Sequence, residues 1–355
     1  MKMDRSRIRQ MPQDIHIRTD RNAGRITLTR PKALNALSYG MMRALDDALI
    51  AWANDPGVRV VIIDAEGPRA FCAGGDIAEV YAAARADNFA FAQRFWAEEY
   101  RMNARIGAYP KPVVSLIHGF CMGGGVGVAC HASHRIVGES AQVAMPECAI
   151  GMVPDVGGSA LLARAPGRMG AWLGTTGTRM APADAIYAGF ADHFVPEAEW
   201  PALIDALCSS GVTDPILSAA RPCPLPATLP ALQPLVDRHF ASRDLSLVVA
   251  SLQSDPGAFS QSALAALAKV SPLGAATTLE LLHRLGPDPT LREALGQEYR
   301  VTYRAQQSTD LLEGIRAMVI DKDRHPRWRH ADASAVTNAE VEALLAPLGA
   351  DALTF

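Results

Sequence analysis

With 355 residues, 49% of them hydrophobic and 20% charged, the chain has the profile of an ordinary folded protein with a sizeable core, as one large domain with an appendage or as two domains. Its formal net charge of −3, with no stripe of lysine or arginine, leaves no basic footprint for nucleic acid. No uninterrupted apolar run of about eighteen residues occurs, so no membrane-spanning helix is expected.

Met1 to Gln10 is basic without an apolar stretch behind it, which argues against a secretory signal, and residues 1–20 are expected to form a disordered leader. Gly24 to Thr29 alternates apolar and polar residues as a half-buried strand does. From Ser38 to Ala53, Met41, Met42, Leu45, Leu49 and Trp52 recur at helical spacing behind Ser38, an N-cap residue type. Val58 to Asp64 reads as a second strand, and residues 78–108 read as helical, with Phe91, Phe95, Trp96, Tyr100 and Met102 on apolar faces. Pro112 to Ile117 is a short, buried, β-branched strand, and residues 191–195 make a short closing strand. Six prolines between Pro215 and Pro234 mark an irregular crossing rather than a packed element. Beyond it the periodicity is helical over 277–285, 291–307 and 311–320, and Thr337 with Glu340 forms a capping box for a last short helix. The chain is therefore divided into the leader, an α/β domain over 21–210, the crossing over 211–235 and a helical region over 236–355. The cysteines at 72, 121, 130, 148, 208 and 223 form no C-x-x-C pair and sit mostly in apolar surroundings, as reduced residues do, so a cytoplasmic protein is expected.

The stretch His118 to Gly158 concentrates the chemistry. Gly123, Gly124 and Gly125 follow a strand and open a helix, and without a Cβ their N–H groups can point at a bound atom carrying developing negative charge. A second glycine loop, Gly74-Gly75, runs into Asp76 and Ile77 at another helix start. Glu147 and Asp155 stand in an otherwise apolar segment, where desolvation shifts an acid's pKa and makes both candidates for catalysis. The plainer alternatives are that the glycines are tight turns and that Asp155 caps the helix after Gly158. No G-x-S-x-G, G-x-x-x-x-G-K-[ST] or H-E-x-x-H occurs, and His131 and His134 lack a third ligand at useful spacing, so no metal is expected.

These motifs form an ordered set. A-F-C-A-G-G-D-I (70–77) followed by G-F-C-M-G-G-G-V-G (119–127), with R-P-K-A-L-N-A-L (30–37) ahead of them, resembles the enoyl-CoA hydratase/isomerase superfamily. Further matches are E-E-Y (98–100), Y-P-K-P (109–112), A-M-P-E (144–147), I-G-M-V-P-D-V-G-G (150–158), A-G-F-A-D-H-F-V (188–195), E-Y-R (298–300) and E-G-I-R-A-M-V-I-D-K-D (313–323), and together they look most like the branch that hydrolyses 3-hydroxyisobutyryl-CoA in valine breakdown. The resemblance implies a crotonase-like fold, a repeated ββα spiral, with a C-terminal helical region. It implies an oxyanion hole from the N–H groups of Gly75 and Gly124, catalytic carboxylates at Glu147 and Asp155, and a third acid, Glu99, near the substrate. Gly74, Asp76, Ile77, Lys32 and Ala33 would line the CoA entrance, with Lys32 near a phosphate. Coenzyme A would be part of the substrate and no separate cofactor is implied; a homo-oligomer is compatible with the family. Hydratases of the superfamily use a second glutamate two residues after the glycine triplet, and this chain has Gly127 there. Two rivals stay open: a hydratase or isomerase using Asp155 as its second acid, and a non-catalytic hydratase-like binding protein.

Overall fold

The computed structural model describes residues 14–355. Strands β1 (Ile15–Asp20) and β2 (Ala23–Leu28) form an antiparallel hairpin, followed by helix α1 (Tyr39–Trp52) and strands β3 (Val60–Ala65) and β4 (Ala70–Cys72). Helices α2 (Ile77–Arg85) and α3 (Phe89–Gly107) lead to β5 (Val113–Ile117), β6 (Phe120–Met122), α4 (Gly124–Ala129), β7 (His134–Val137) and β8 (Gln142–Ala144). A 3-10 turn over Glu147–Ile150, helices α5 (Gly158–Arg164), α6 (Met169–Thr176) and α7 (Pro182–Tyr187), and the short strand β9 (His193–Phe194) close this part.

Strand–strand–helix recurs along the chain, and alternate strands go to different sheets. One sheet has the order β1-β2-β3-β5-β7-β9, parallel except for β1, and the other, also parallel, has the order β4-β6-β8. This is the repeated ββα winding that the motifs implied. Parallel strands covered on both faces read as continuous apolar runs, and β5 is buried throughout. Val60, Ile62, Val114, Leu116 and Ile136 pack against Leu203 and Leu207 of α8 (Trp200–Ser210) and Ile216 of α9 (Asp214–Ala219), while Val61, Ile63, Val113 and Ile117 face the larger core that holds the site.

Local sequence explains most boundaries. The Ser38 hydroxyl accepts from Met41 N at the start of α1, and the five apolar residues expected on its inner face are buried. Residues 78–108 are two helices rather than one: Asp87 adopts φ 54°, and Asn88 N–H returns to the Ala83 carbonyl and closes α2. The expected leader is corrected over its last part, because residues 15–20 pair with β2 and bury Ile15; residues 1–13 lie outside the described residues. The proline-rich stretch, expected to be an irregular crossing, contains α9 and part of α10 (Leu229–His239), with Pro215 and Pro230 in the first turns, where the missing N–H costs nothing, and Pro234 inside α10.

The remaining helices are α11 (Leu245–Gln253), α12 (Ala258–Leu267), α13 (Pro272–Leu285), α14 (Leu291–Ser308), α15 (Leu311–Ile315) and α16 (Asn338–Leu345). Capping boxes at Thr290–Glu293 and Thr337–Glu340 start α14 and α16. Over 311–320, α15 passes into a π-helical turn at Arg316–Ile320. Helix α14 packs on α3 and α5, which brings the C-terminal helices up to the glycine loops.

Candidate functional site

A cavity of about 250 Å³ opens where the loop after β4, the start of α4, α3 and the segment 146–156 converge. Gly74, Gly75, Asp76, Ile77, Glu99, Gly124, Glu147 and Asp155 all line it, with Val80, Phe95, Trp96, Ile150, Met152 and Leu311 as apolar walls. Lys32 and Ala33 are not in the lining. Lys32 is exposed on a short 3-10 turn, and its neighbour Arg30 reaches the site instead, through an ion pair with Asp76 at 2.7 Å.

The glycines are needed where they stand. Gly74 has φ 119° and Gly123 φ 51°. A Cβ on Gly123 would lie 2.7 Å from Glu147 Oε1, and one on Gly124 would lie 3.0 Å from Gly75 N and 3.1 Å from Glu99 Oε1, so a side chain at either position would crowd the acids or the second glycine loop. Among the described residues, neither the Gly75 N–H nor the Gly124 N–H is taken by a backbone carbonyl.

Three carboxyl groups line the same cavity, all buried. Glu147 opens the 3-10 turn after Pro146, and its Oε2 has no hydrogen-bond partner; Glu99 Oε1 has none either. Burial is the main cause that pushes both well above the usual carboxylate range, and the charge of Asp155 adds to it. Asp155 is raised by burial to about 6 and held from going higher by Tyr100, whose hydroxyl donates to its Oδ2 at 2.7 Å. Asp155 does not cap α5 with its side chain: the N-cap position is Gly157, and the orphan N–H groups there go to Glu298. An arrangement of closely set acids with dissimilar surroundings, facing free N–H donors, can hold a proton on one oxygen while presenting another as base or nucleophile, and can bind an oxygen that gains charge.

Three residues of the site carried no assigned role in the sequence reading. Tyr100 sits in an aromatic stripe that reads as core. Glu298 belongs to E-Y-R, and the spacing of Ala294, Leu295, Glu298, Thr302 and Ala305 on the inner face of α14 is the signal that places its acid inside. Asn103, one turn after Glu99, is fully buried with neither amide atom partnered. A Cβ on Gly127 would lie 2.8 Å from both Asn103 Nδ2 and Val156 Cβ, so the space beside position 127 is already filled. His131 and His134 are turned to other uses: His131 Nε2 hydrogen-bonds to the Val156 carbonyl at 2.8 Å, and His134 Nδ1 to Ser133 Oγ at 3.0 Å.

The family described as enoyl-CoA hydratase/isomerase matches residues 23–345. The chain is 38% identical to the mitochondrial 3-hydroxyisobutyryl-CoA hydrolase of Xenopus tropicalis over 92% of its own length and 87% of the relative's. The chicken and human relatives bear the same name. Among solved structures, one of an enoyl-CoA hydratase from Rhodobacter sphaeroides is 59% identical with a TM-score of 0.92, covering 96% of this chain and 100% of that one. A carnitinyl-CoA dehydratase from Mycobacterium thermoresistibile is 40% identical with a TM-score of 0.91, covering 97% and 99%. The expectation of a cytoplasmic protein does not stand beside relatives that are mitochondrial by name; buried free cysteines report a reduced state, not a compartment. The chain belongs to the enoyl-CoA hydratase/isomerase family, on the branch of the 3-hydroxyisobutyryl-CoA hydrolases.

Proposed function

We propose that this chain hydrolyses the thioester of a short 3-hydroxyacyl-CoA, with 3-hydroxyisobutyryl-CoA, the compound named for its relatives, as substrate and valine breakdown as the setting. The observation that carries the reading is the unpartnered, buried Glu147 Oε2 in one cavity with the free N–H groups of Gly75 and Gly124. The thioester oxygen takes the two N–H groups, which stabilise its charge as the carbonyl carbon becomes tetrahedral. Each such donor contributes roughly 3 to 4 kcal/mol in other acyl-transfer sites. Glu147, once ionised, either attacks that carbon, forming an anhydride that water cleaves, or takes a proton from a water that attacks it. In both routes one water is consumed and the carbon–sulfur bond breaks, giving the free acid and the CoA thiol. In this reading Asp155 accepts a hydrogen bond from the substrate's 3-hydroxyl and Glu99 bounds the acyl group, with Gly74, Asp76 and Ile77 also in the lining.

Glu147→Gln tests this directly, since an amide neither attacks nor takes a proton at neutral pH. Thiol release from 3-hydroxyisobutyryl-CoA falls by several orders of magnitude while CoA binding persists; near-normal release removes Glu147 from its role. Label found in the Glu147 carboxyl group after a single turnover in ¹⁸O-water establishes an anhydride cleaved by water at the glutamyl carbon, because direct attack of water on the thioester labels only the product.

Enoyl-CoA hydration is the second reading, favoured by the name of the 59% identical structure. Hydration needs an acid and a base across the double bond, and at position 127 this chain has a glycine crowded by Asn103 and Val156. Loss of enoyl absorbance without thiol release would favour hydration; thiol release without change in enoyl absorbance favours hydrolysis.

A further inference from the structure

The turn that carries Asp155 is held in a conformation its sequence does not favour. Val156, β-branched, has φ 52°, and Gly157 follows at 78°. Left-handed backbone at a β-branched residue persists only where the surroundings over-determine it. Two side chains from elsewhere do so here. His131 hydrogen-bonds to the Val156 carbonyl at 2.8 Å, and Glu298 of α14 takes the Gly157 N–H on Oε2 at 2.7 Å and the Ser159 N–H on Oε1 at 3.0 Å, with the Ser159 hydroxyl also on Oε1. Glu298 is fully buried, and every contact it makes in this turn is with a donor. The same helix reaches the acid's own side chain, because Thr302 Oγ1, one turn beyond Glu298, lies 3.4 Å from the Tyr100 hydroxyl that donates to Asp155.

We propose that Glu298 is a positioning residue for Asp155: from α14 its carboxyl group locks the left-handed turn at 156–157 and so aims Asp155 into the cavity. This role rests on Asp155 acting on the substrate as described above. Glutamine cannot replace Glu298: each carboxyl oxygen keeps a lone pair for a backbone N–H whether or not the group is protonated, whereas either orientation of the amide turns its NH₂, which accepts nothing, toward the N–H of Gly157 or of Ser159. The turn then relaxes, and a displacement on the order of 1 Å at a reacting group lowers turnover by about 10²-fold.

The test is a double-mutant cycle on the full chain, measuring kcat and KM for 3-hydroxyisobutyryl-CoA in wild type, Glu298→Gln, Asp155→Ala and the double variant. Expected is a kcat loss in Glu298→Gln on the order of 10²-fold with KM nearly unchanged, and no further loss when the substitution is added to Asp155→Ala. An equal loss in both backgrounds, or no loss in wild type, overturns the positioning role and leaves Asp155's own role standing. Normal turnover in Asp155→Ala instead overturns the reading of Asp155, and the positioning role with it. Should Glu298→Gln not fold, Ser159→Ala removes one partner of Oε1 and keeps the Glu298 carboxyl group. A smaller kcat loss that disappears in the Asp155→Ala background is then expected, and absence of a loss, or an equal one in both backgrounds, counts against the proposal.

Discussion

At the scale of single residues, Asp155 shows how one group's surroundings divide its work. Tyr100 donates to Oδ2, and in the function proposed above the other oxygen takes the substrate hydroxyl. An acyl-CoA without that hydroxyl leaves a buried acceptor unmatched, at a cost of about 1 to 3 kcal/mol. Wild type is therefore expected to prefer 3-hydroxyisobutyryl-CoA over isobutyryl-CoA in kcat/KM, and Asp155→Ala to narrow that ratio; an unchanged ratio would remove Asp155 from reading the hydroxyl. Tyr100 also has a titration consequence. Its hydrogen bond lowers the Asp155 pKa against the larger upward push of burial, so Tyr100→Phe raises it. With ionised Asp155 as the working form, its titration contributes to the acidic limb of kcat/KM beside that of Glu147, and the limb moves to higher pH in the variant. A limb that stays put, or moves down, sinks the assignment. The two acids were legible because a charge in an apolar segment has to be explained. Tyr100 was not, since an aromatic residue on an inner helix face looks the same whether or not its hydroxyl has a partner, and Glu298 lies far along the chain from the turn it serves.

Among the elements, α4 is the tightest fit. Its whole length is buried, and a Cβ at Gly125 would come within 2.2 Å of the Cys72 carbonyl oxygen at the end of β4. That neighbour is backbone in a sheet and cannot step aside. Gly125→Ala should push α4 off β4, with a loss of stability of roughly 1 to 3 kcal/mol or more and a larger loss of turnover, because Gly124 N–H moves with the helix. Denaturant unfolding beside kinetics checks it, and full stability with full activity would mean that α4 has room the geometry denies. Most of the long elements could be read directly, since Ser38, Thr337 and the stripes of α1, α13 and α14 carry their own signals. The three-residue strands β4, β6 and β8 could not, and with them the division into two sheets was hidden. So was the break between α2 and α3, which rests on an aspartate in left-handed backbone with neither proline nor glycine to mark it.

Across the whole molecule, four buried acids set a common dependence on pH. Glu99, Glu147, Asp155 and Glu298 all hold protons more tightly in the fold than in the unfolded chain, with burial the leading cause in each. A raised carboxyl pKa adds stability that is fully present below the unfolded value, near pH ~4, and is lost as pH climbs through the folded values, about 6 for Asp155 and about 8 for Glu298. These groups thus make the protein less stable as pH rises from about 5 to 9. Glu99→Gln removes one of them and should raise Tm at pH 8 by on the order of a few degrees, while the two proteins converge at pH 5. A variant less stable than wild type at pH 8 would show that the Glu99 charge is compensated in the fold.

The reach of α14 into the pocket has a further meaning for the order in which the protein becomes competent. Every strand of both sheets has been synthesised by Phe194, so a nascent chain of that length already contains the glycine loops, Glu99, Glu147 and Asp155. It lacks Glu298 and Thr302, and the faces of α3 and α5 that α14 covers stand open to water. Such a chain lacks the contacts that hold the turn at Val156, and the ribosome must add roughly a hundred more residues, several seconds of translation, before Glu298 is present. The turn that carries Asp155 therefore depends on a helix encoded about a hundred residues after the last strand.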